Sequence, residues 1–188
     1  YQGEYDDSLN KLKSAQIGNM GADLVQVYEI GTRFMIESGW TVPMQEMIDA
    51  DNYDVSQIEP NLAAYYTIDD KLYSMPFNSS TPIMYYNKDM FAKAGITDIP
   101  DSLEGIDKIG EQLMSKGGAS EVMSLGIYGW FFEQFIGKQG LDYANNGNGR
   151  DKAATAVDFD KNGAAKNILT EWQKLNKDGF APVVGKGG

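Results

Sequence analysis

Glu29 is the acidic residue whose position points most directly to a chemical role. It follows Leu24–Tyr28, a short run of apolar and β-branched residues that predicts a buried strand. Ligands of α/β proteins bind beyond the carboxyl ends of such strands. A carboxylate there can bind hydroxyl groups of a solute, or serve as one of the two acids of a glycosidase. No second acid is placed opposite Glu29, so the bland alternative is a solvated or capping glutamate.

The composition excludes several other kinds of site. The chain has 188 residues and contains neither cysteine nor histidine, which excludes thiol nucleophiles, Ser-His-Asp triads, disulfides and Cys/His zinc centres. Lys and Arg number 16 against 27 Asp and Glu, a net charge of −11. That balance argues against a broad basic face for nucleic acid or anionic membrane. We expect no catalytic residue, no metal and no cofactor.

Two stretches imitate known binding loops without completing them. Asp158–Gly163 resembles the first half of a calcium loop, but Leu169 stands at the twelfth position, where a bidentate Glu is needed. We interpret it as a turn that caps the next helix. Gly179–Lys186 imitates a phosphate loop with one residue too many, and Gly187 replaces the Ser or Thr that binds magnesium. We therefore expect neither loop to bind its ligand.

Aromatic residues are the more informative signal. Most aromatic side chains at helical or strand spacing belong to a core. A few placed beside Glu29 and Ser79-Ser80 would suit a polyol or a sugar, which needs a flat apolar face and small hydrogen-bonding groups. The candidates are Tyr5, Trp40, Tyr65, Tyr66, Tyr85, Tyr86, Tyr128, Trp130, Phe131 and Phe132.

Helices alternating with short strands predict the α/β fold class. The apolar spacing, caps and breakers predict helices at 7–17, after Gly31 to Gly39, after Pro43, at 87–94, from Leu103 to Leu113, and around Ile168–Leu175, with an aromatic helix or loop at 130–136. Strands are predicted at Leu24–Tyr28, Ile83–Tyr86 and Met123–Ile127, and a loop at Asn145–Arg150.

The middle of the chain predicts a connection between two lobes. Pro76 and Pro82 flank a small polar cluster, and prolines at this spacing disfavour one central strand through the whole segment. We assign residues 1–82 to part of an amino-terminal lobe and residues 83–188 to part of a carboxyl-terminal lobe. The chain crosses between them near residues 76–87.

Three segments carry a resemblance to a known family. They are Tyr1–Asp6, Val25–Thr32 and, most specifically, Pro76–Ile96, which contains Asn-Ser-Ser-Thr-Pro followed by Tyr-Tyr-Asn-Lys-Asp. In order and spacing the chain resembles family 1 extracellular solute-binding proteins of ABC importers from Tyr1 to about Lys186. It is most similar to their glycerol-3-phosphate-binding members.

The resemblance implies a periplasmic-binding-protein-like, class II fold of two α/β lobes with the ligand in the cleft. Members are considerably longer, so we expect this chain to be an internal piece and the fold to be incomplete. Tyr5, Glu29 and Ser80 match ligand-contacting positions on the glycerol side, and we add Ser79 and Trp130 as ligand-binding candidates.

Some positions depart from the glycerol-3-phosphate pattern. Leu103 stands where a Trp often follows the Pro-x-x before the helix, and Ile127 replaces a second aromatic residue. Leu103 and Tyr128 are therefore possible pocket-wall residues, although Leu103 can equally begin a core-facing stripe. Arg33 and Arg150 are the only arginines, and neither matches the family's phosphate-binding arginine.

We therefore expect a solute-binding component of an ABC importer that captures glycerol-3-phosphate or a glycerophosphodiester. The alternatives are a sugar- or oligosaccharide-binding protein of the same family, a carboxylate-dependent glycoside-active domain, and a folded piece that binds nothing. The expected partners are a small polar solute and a membrane permease, with no nucleic acid, and the protein is expected to be monomeric. We expect it to be extracellular or periplasmic, either soluble or tethered as a lipoprotein.

Overall fold

The chain divides into two compact units. The computed structural model describes residues 3–185, with the first unit ending at Ser80 and the second beginning at Thr81. This division falls inside the predicted crossing segment, residues 76–87. Each unit has its own helices and its own buried side chains.

Four helices form most of the first unit, and local signals explain their ends. The first helix begins at Tyr5, two residues before the predicted start. Asp7, in its first turn, caps this helix because its carboxylate accepts a hydrogen bond from the Glu4 N–H at 3.2 Å. Gly39 ends the second helix in a left-handed conformation, with φ 66°. The helices are α1 (Tyr5–Ile17), α2 (Thr32–Ser38), α3 (Met44–Asp51) and α4 (Pro60–Tyr66), with a three-residue 3-10 turn at Glu29–Gly31.

The prediction of a strand at Leu24–Tyr28 is wrong, although inward-facing and exposed side chains do alternate along this segment. Val25 and Val27 pack against the buried cluster of Leu9, Leu12 and Met35, whereas Leu24 is 88% exposed. A strand requires a hydrogen-bonded neighbour. Among the described residues none pairs with this segment.

A small hairpin follows α4 and supplies the paired strands of the first unit. β1 (Thr67–Ile68) and β2 (Lys71–Leu72) are antiparallel, with Thr67 opposite Leu72. Asp69 and Asp70 form the two-residue connection with φ of 49° and 59°. Two positive φ values match the right-handed twist of a tight hairpin, which Asp tolerates better than most residues.

The second unit is also largely helical. Asn87 caps its first helix by accepting hydrogen bonds from the Asp89 and Met90 N–H groups, both at 3.0 Å. Ser102 caps the next, accepting from the Gly105 N–H at 3.1 Å. The helices are α5 (Lys88–Ala94), α6 (Leu103–Gln112), α7 (Gly129–Lys138), α8 (Asn145–Gly149) and α9 (Ala164–Lys177); a π-helical turn at Leu113–Gly117 extends α6.

Two further strand predictions are wrong for the same reason as the first. Ile83–Tyr86 has no paired neighbour among the described residues, and Tyr85 is 88% exposed. Within residues 3–185, Met123–Ile127 makes a single parallel bridge, between Leu125 and Val183. The predicted loop at 145–150 contains α8, a short segment whose central residues Asn146, Gly147 and Asn148 have left-handed backbone conformations.

The second unit contains the most deeply buried side chains. Ile136 and Ala164 have no exposed surface, and Leu175 is 1% exposed. Around Ile136, Ala164 and Ile168 lies a shell of partly buried residues from α7, α9 and the loops between them: Phe132, Phe135, Leu141, Tyr143, Phe159 and Trp172. A smaller cluster joins α5 to the end of α6 through Phe91, Ala94 and Leu113.

Candidate functional site

Tyr5 presents an aromatic face at the start of α1. Its ring stacks on the ring of Tyr28, with centroids 5.7 Å apart and planes at 28°. The Tyr28 hydroxyl donates a hydrogen bond to Asp6 Oδ1 at 2.8 Å, which fixes the second ring. Tyr5 itself remains 47% exposed, so this pair offers a flat surface next to a carboxylate.

Glu29 opens the 3-10 turn that follows Tyr28 and is partly buried. Its backbone carbonyl accepts hydrogen bonds from the hydroxyls of Thr32 at 2.7 Å and Tyr65 at 3.2 Å. These two hydrogen bonds connect the turn to Thr32, which directly follows it, and to α4. This arrangement fixes the backbone from which the Glu29 carboxylate extends.

Ser79 and Glu29 are brought together around Tyr66, the last residue of α4. Burial raises the pKa of the Tyr66 phenol, and the nearby Glu29 carboxylate raises it further, because a phenolate would be repelled by that charge. A hydrogen bond with the Ser79 side chain partly opposes this pKa shift. The carboxylate, the phenol and the hydroxyl thus form one polar cluster.

The segment that carries Ser79 is attached to the strand-like run before Glu29. Gln26 Nε2 donates a hydrogen bond to Asn78 Oδ1 at 2.9 Å, although the two residues are far apart in sequence. Ser80 follows Ser79 and is exposed. The first unit therefore places four predicted residues, Tyr5, Glu29, Ser79 and Ser80, on elements that are linked by named contacts or by direct succession.

The remaining predicted residues lie in the second unit. Tyr128 and Trp130 stack at 6.3 Å and 17°, and the Trp130 ring meets Phe131 edge-on at 5.7 Å. They stand at the start of α7 and are partly buried. Leu103 is the first residue of α6 and is also partly buried.

Sequence reasoning did not identify the contacts of Tyr65 and Tyr66. It named both only among ten aromatic residues, of which a few were expected beside Glu29, and it did not name Tyr28 among them. Adjacent tyrosines at the end of a helix carry no distinguishing pattern. In the structure Tyr65 is 39% exposed, and its ring meets Tyr66 edge-on at 5.1 Å.

The structure gives separate results for metals, membranes and other depressions. Within residues 3–185 no three or more His, Cys, Asp or Glu side chains form a group suited to a metal ion. No helix in that range is long and apolar enough to cross a bilayer. An open groove of about 680 Å³ on the second unit contains none of the predicted ligand residues and is lined by Glu111, Met114, Ser115, Ala119, Asp178 and Phe180.

The structure describes all of the calcium-loop-like turn at Asp158–Gly163 and part of the phosphate-loop-like stretch at Gly179–Lys186. In the Asp158–Gly163 turn, Asn162 Oδ1 accepts a hydrogen bond from the Ala164 N–H at 3.0 Å, at the start of α9. The predicted capping role of this asparagine is thus confirmed. The Lys186 and Gly187 positions of the other loop lie outside the described residues.

Known proteins share both sequence and fold with this chain. The sn-glycerol-3-phosphate-binding periplasmic protein UgpB of Salmonella typhimurium is 37% identical over 195 aligned positions, which cover 99% of this chain and 44% of that protein. UgpB of Escherichia coli K12 is 34% identical with the same coverage. The chain thus spans less than half the length of these relatives.

Two solved structures confirm the predicted fold class. The crystal structure of UgpB from Mycobacterium tuberculosis in complex with glycerophosphocholine has a TM-score of 0.77 at 22% identity, covering 98% of this chain and 48% of that one. The cyclic alpha-maltosyl-1,6-maltose binding protein from Arthrobacter globiformis has a TM-score of 0.64 at 19% identity, covering 97% and 46%. The described residues, which are mostly helical, therefore correspond to about half of a two-lobe binding-protein fold.

A family model adds the last comparison. The model of the bacterial extracellular solute-binding proteins matches residues 1–186. This match spans nearly the whole chain, and the relatives above agree with it in sequence and in fold. The chain belongs to the family of bacterial extracellular solute-binding proteins.

Proposed function

We propose that this chain forms part of the solute-binding component of an ABC importer, and that it captures glycerol-3-phosphate or a glycerophosphodiester. The observation that carries the proposal is the exposed Tyr5 ring stacked on Tyr28 at 5.7 Å, together with the Glu29 turn that directly follows Tyr28 and is hydrogen-bonded to Tyr65 at 3.2 Å. A carboxylate can accept hydrogen bonds from both hydroxyls of a vicinal diol, and an aromatic face covers the carbon atoms. The names of the UgpB relatives support the same class of solute.

Capture on this proposal involves no bond-breaking step, so the protein is not an enzyme. Two lobes close around the solute, and the hinge residues absorb the motion. The ligand-binding candidates are Tyr5, Glu29, Ser79, Ser80 and Trp130. A glycosidase would need a second acid at a defined distance from Glu29, and turnover of aryl glycosides is the assay that tests this alternative.

A phosphate group needs donors that the candidate residues do not supply. Charge-assisted hydrogen bonds from Arg, Lys or backbone N–H groups are the strong contacts for an anion. The five ligand candidates carry no cation, and the net charge of the chain is −11. We therefore expect the 188-residue chain alone to bind weakly or not at all, and the full-length gene product to bind more tightly.

The decisive experiment measures solute affinity by calorimetry on the full-length gene product. Replacing Glu29 by Ala should leave folding intact and weaken binding by about 1.5–3 kcal/mol, the contribution of a charged hydrogen bond. Glu46→Ala is the matched control, since Glu46 is an exposed acid on α3 of the same unit. Equal affinities of the parent and the Glu29→Ala variant would remove Glu29 from the site.

The identity of the solute is tested with the same assay. We propose a glycerophosphodiester such as glycerophosphocholine, because Leu103 is smaller than an indole and leaves room beyond the phosphate. The panel contains free glycerol-3-phosphate, glycerophosphocholine and maltose, and Leu103→Trp should shift preference towards glycerol-3-phosphate. A parent that prefers glycerol-3-phosphate, or a variant whose preference does not move, contradicts the glycerophosphodiester. Tightest binding of maltose favours the sugar-binding alternative, for which the stacked Tyr128 and Trp130 rings are suited.

The cellular setting follows from the same proposal. The protein acts outside the cytoplasm, as a soluble periplasmic protein or a tethered lipoprotein, and delivers its solute to a membrane permease. It acts as a monomer and binds no nucleic acid. The periplasmic location in the names of the UgpB relatives supports this setting.

A further inference from the structure

The first observation concerns how the Glu29 backbone is held. A 3-10 turn of three residues has few hydrogen bonds of its own. Here the Glu29 carbonyl accepts the Thr32 N–H and the Thr32 hydroxyl locally. The Tyr65 hydroxyl donates to the same carbonyl at 3.2 Å from another helix, α4.

The second observation concerns Tyr66, the next residue along α4. Burial raises the pKa of its phenol, and the nearby Glu29 carboxylate raises it further. Its ring packs edge-on against Tyr65 at 5.1 Å. The Tyr66 ring therefore supports the side chain of Tyr65, whose hydroxyl holds the Glu29 turn.

The third observation is that α4 itself is fixed at both ends. The Glu59 carboxylate accepts a hydrogen bond from the Leu62 N–H at 3.1 Å, and Pro60 occupies the first turn. At the other end the Tyr66 carbonyl accepts the Tyr73 N–H at 3.0 Å across the β1–β2 hairpin. The tyrosine pair thus stands on an anchored element and can hold other groups in place.

We propose that Tyr65 is a positioning residue of the solute site, whose hydroxyl fixes the Glu29 turn. This inference rests on the proposed function. Its content is that the Tyr65 hydroxyl acts on affinity through Glu29. A site held in its binding geometry before the solute arrives loses less free energy to ordering.

The test replaces only the hydroxyl group. Tyr65→Phe keeps the ring and should weaken binding by about three- to tenfold, the effect of losing one ordinary hydrogen bond. Tyr53→Phe is the control, since Tyr53 is 59% exposed in the same unit and its hydroxyl lies outside the cluster. Affinities for glycerol-3-phosphate, glycerophosphocholine and maltose are measured by calorimetry on the full-length gene product, with melting temperatures in parallel.

A double-mutant cycle separates positioning from a merely structural role. If Tyr65 acts through Glu29, then Tyr65→Phe should cost less than twofold in a protein that already carries Glu29→Ala. A structural role would instead lower the melting temperature and add its full effect in both backgrounds. Additive losses in this cycle overturn the Tyr65 assignment.

The outcomes distinguish this inference from the proposed function. If Glu29→Ala weakens binding while Tyr65→Phe stays within twofold of the parent, the positioning role is overturned and the function stands. If no solute of the panel binds the parent, or if Glu29→Ala has no effect, the proposed function fails and the inference fails with it. A loss in Tyr65→Phe at unchanged melting temperature, together with the non-additive cycle, supports it.

Discussion

The two units of the chain differ in how deeply they bury their side chains. The second unit buries Ile136 completely and Leu175 to 1% exposure, whereas the most buried large side chain described in the first unit, Leu72, is still 5% exposed. Long-range side-chain hydrogen bonds occur in both units, such as Gln26 to Asn78 in the first and Asn167 to Gln139 in the second, each at 2.9 Å. The difference between the units therefore lies in the apolar core.

The aromatic residues show the same difference. Phe132 of the second unit packs edge-on against the rings of Tyr143, Phe159 and Trp172, within a cluster around fully buried aliphatic residues. Tyr5 of the first unit stacks on Tyr28 and remains 47% exposed. Because burial gives aromatic rings most of their stabilising effect, the rings around Phe132 stabilise the fold. The exposed Tyr5 ring can contact a ligand.

The largest expected difference between the units is the effect of truncating their cores. Ile136→Ala should destabilise the chain by about 3–5 kcal/mol, since a completely buried side chain leaves a cavity that its packed neighbours cannot fill. Met35→Ala in the first unit should cost about 2–3 kcal/mol, because Met35 is 6% exposed and its surroundings can relax. Urea unfolding of the 188-residue chain, followed by circular dichroism, measures both. An equal or larger loss for Met35→Ala would contradict the proposed difference between the cores.

A smaller effect is expected from two glycines of the second unit. A Cβ at Gly110 on α6 would lie 2.5 Å from the Phe180 ring. That ring cannot easily withdraw, because the Phe180 carbonyl accepts the N–H groups of Val122 and Met123 at 2.8 and 3.0 Å. Gly110→Ala should therefore cost about 1–3 kcal/mol through overpacking.

Gly137 is the matched control for Gly110. It lies on α7, and a Cβ there would meet no heavy atom within 4 Å. Gly137→Ala should stabilise the chain by about 0.5–1 kcal/mol, since alanine loses less conformational entropy in a helix. Thermal unfolding of both variants gives the comparison. A neutral Gly110→Ala variant would show that the Phe180 ring moves freely.

The sequence predicted helices better than strands, and the reason is physical. The caps at Asn87 and Ser102 and the left-handed Gly39 act within a few residues of the helix they bound, so their signals can be read locally. A strand depends on a neighbour that the segment itself does not contain. Leu24–Tyr28 has the right alternation but no paired neighbour among the described residues, so its alternation did not produce a strand.

The candidate site divides in the same way. The resemblance identified Glu29 and Ser80 from local motifs. The contacts of Tyr65 with the Glu29 carbonyl, and of Tyr66 with Ser79, depend on how α4 and the hairpin bring distant segments together. The way in which these distant segments come together is a property of the whole fold, and no short stretch of sequence indicates it. Whether these residues bind a solute stays a prediction, which the Glu29→Ala measurement tests.

The smallest expected effect concerns calcium and the Asp158–Gly163 turn of the second unit. The side chain of Asn162 is engaged at both ends: its oxygen accepts the Ala164 N–H at 3.0 Å, and its nitrogen donates to the Asp142 carbonyl at 2.8 Å. Leu169, which occupies the position of the bidentate acid, is 52% exposed and has no oxygen to offer.

We expect this turn to bind calcium very weakly, because Asn162 caps α9 and the acid that would bind calcium at position 169 is missing. With a dissociation constant weaker than about 10 mM, calcium at about 1 mM would stabilise the fold by less than about 0.1 kcal/mol. The melting temperature of the 188-residue chain should then be the same, within about 1 °C, with calcium or with a chelator. Asp158→Ala should leave this insensitivity unchanged. A calcium-dependent rise in melting temperature that disappears in Asp158→Ala would make the turn a binding site, and the second unit would then supply more than an apolar core.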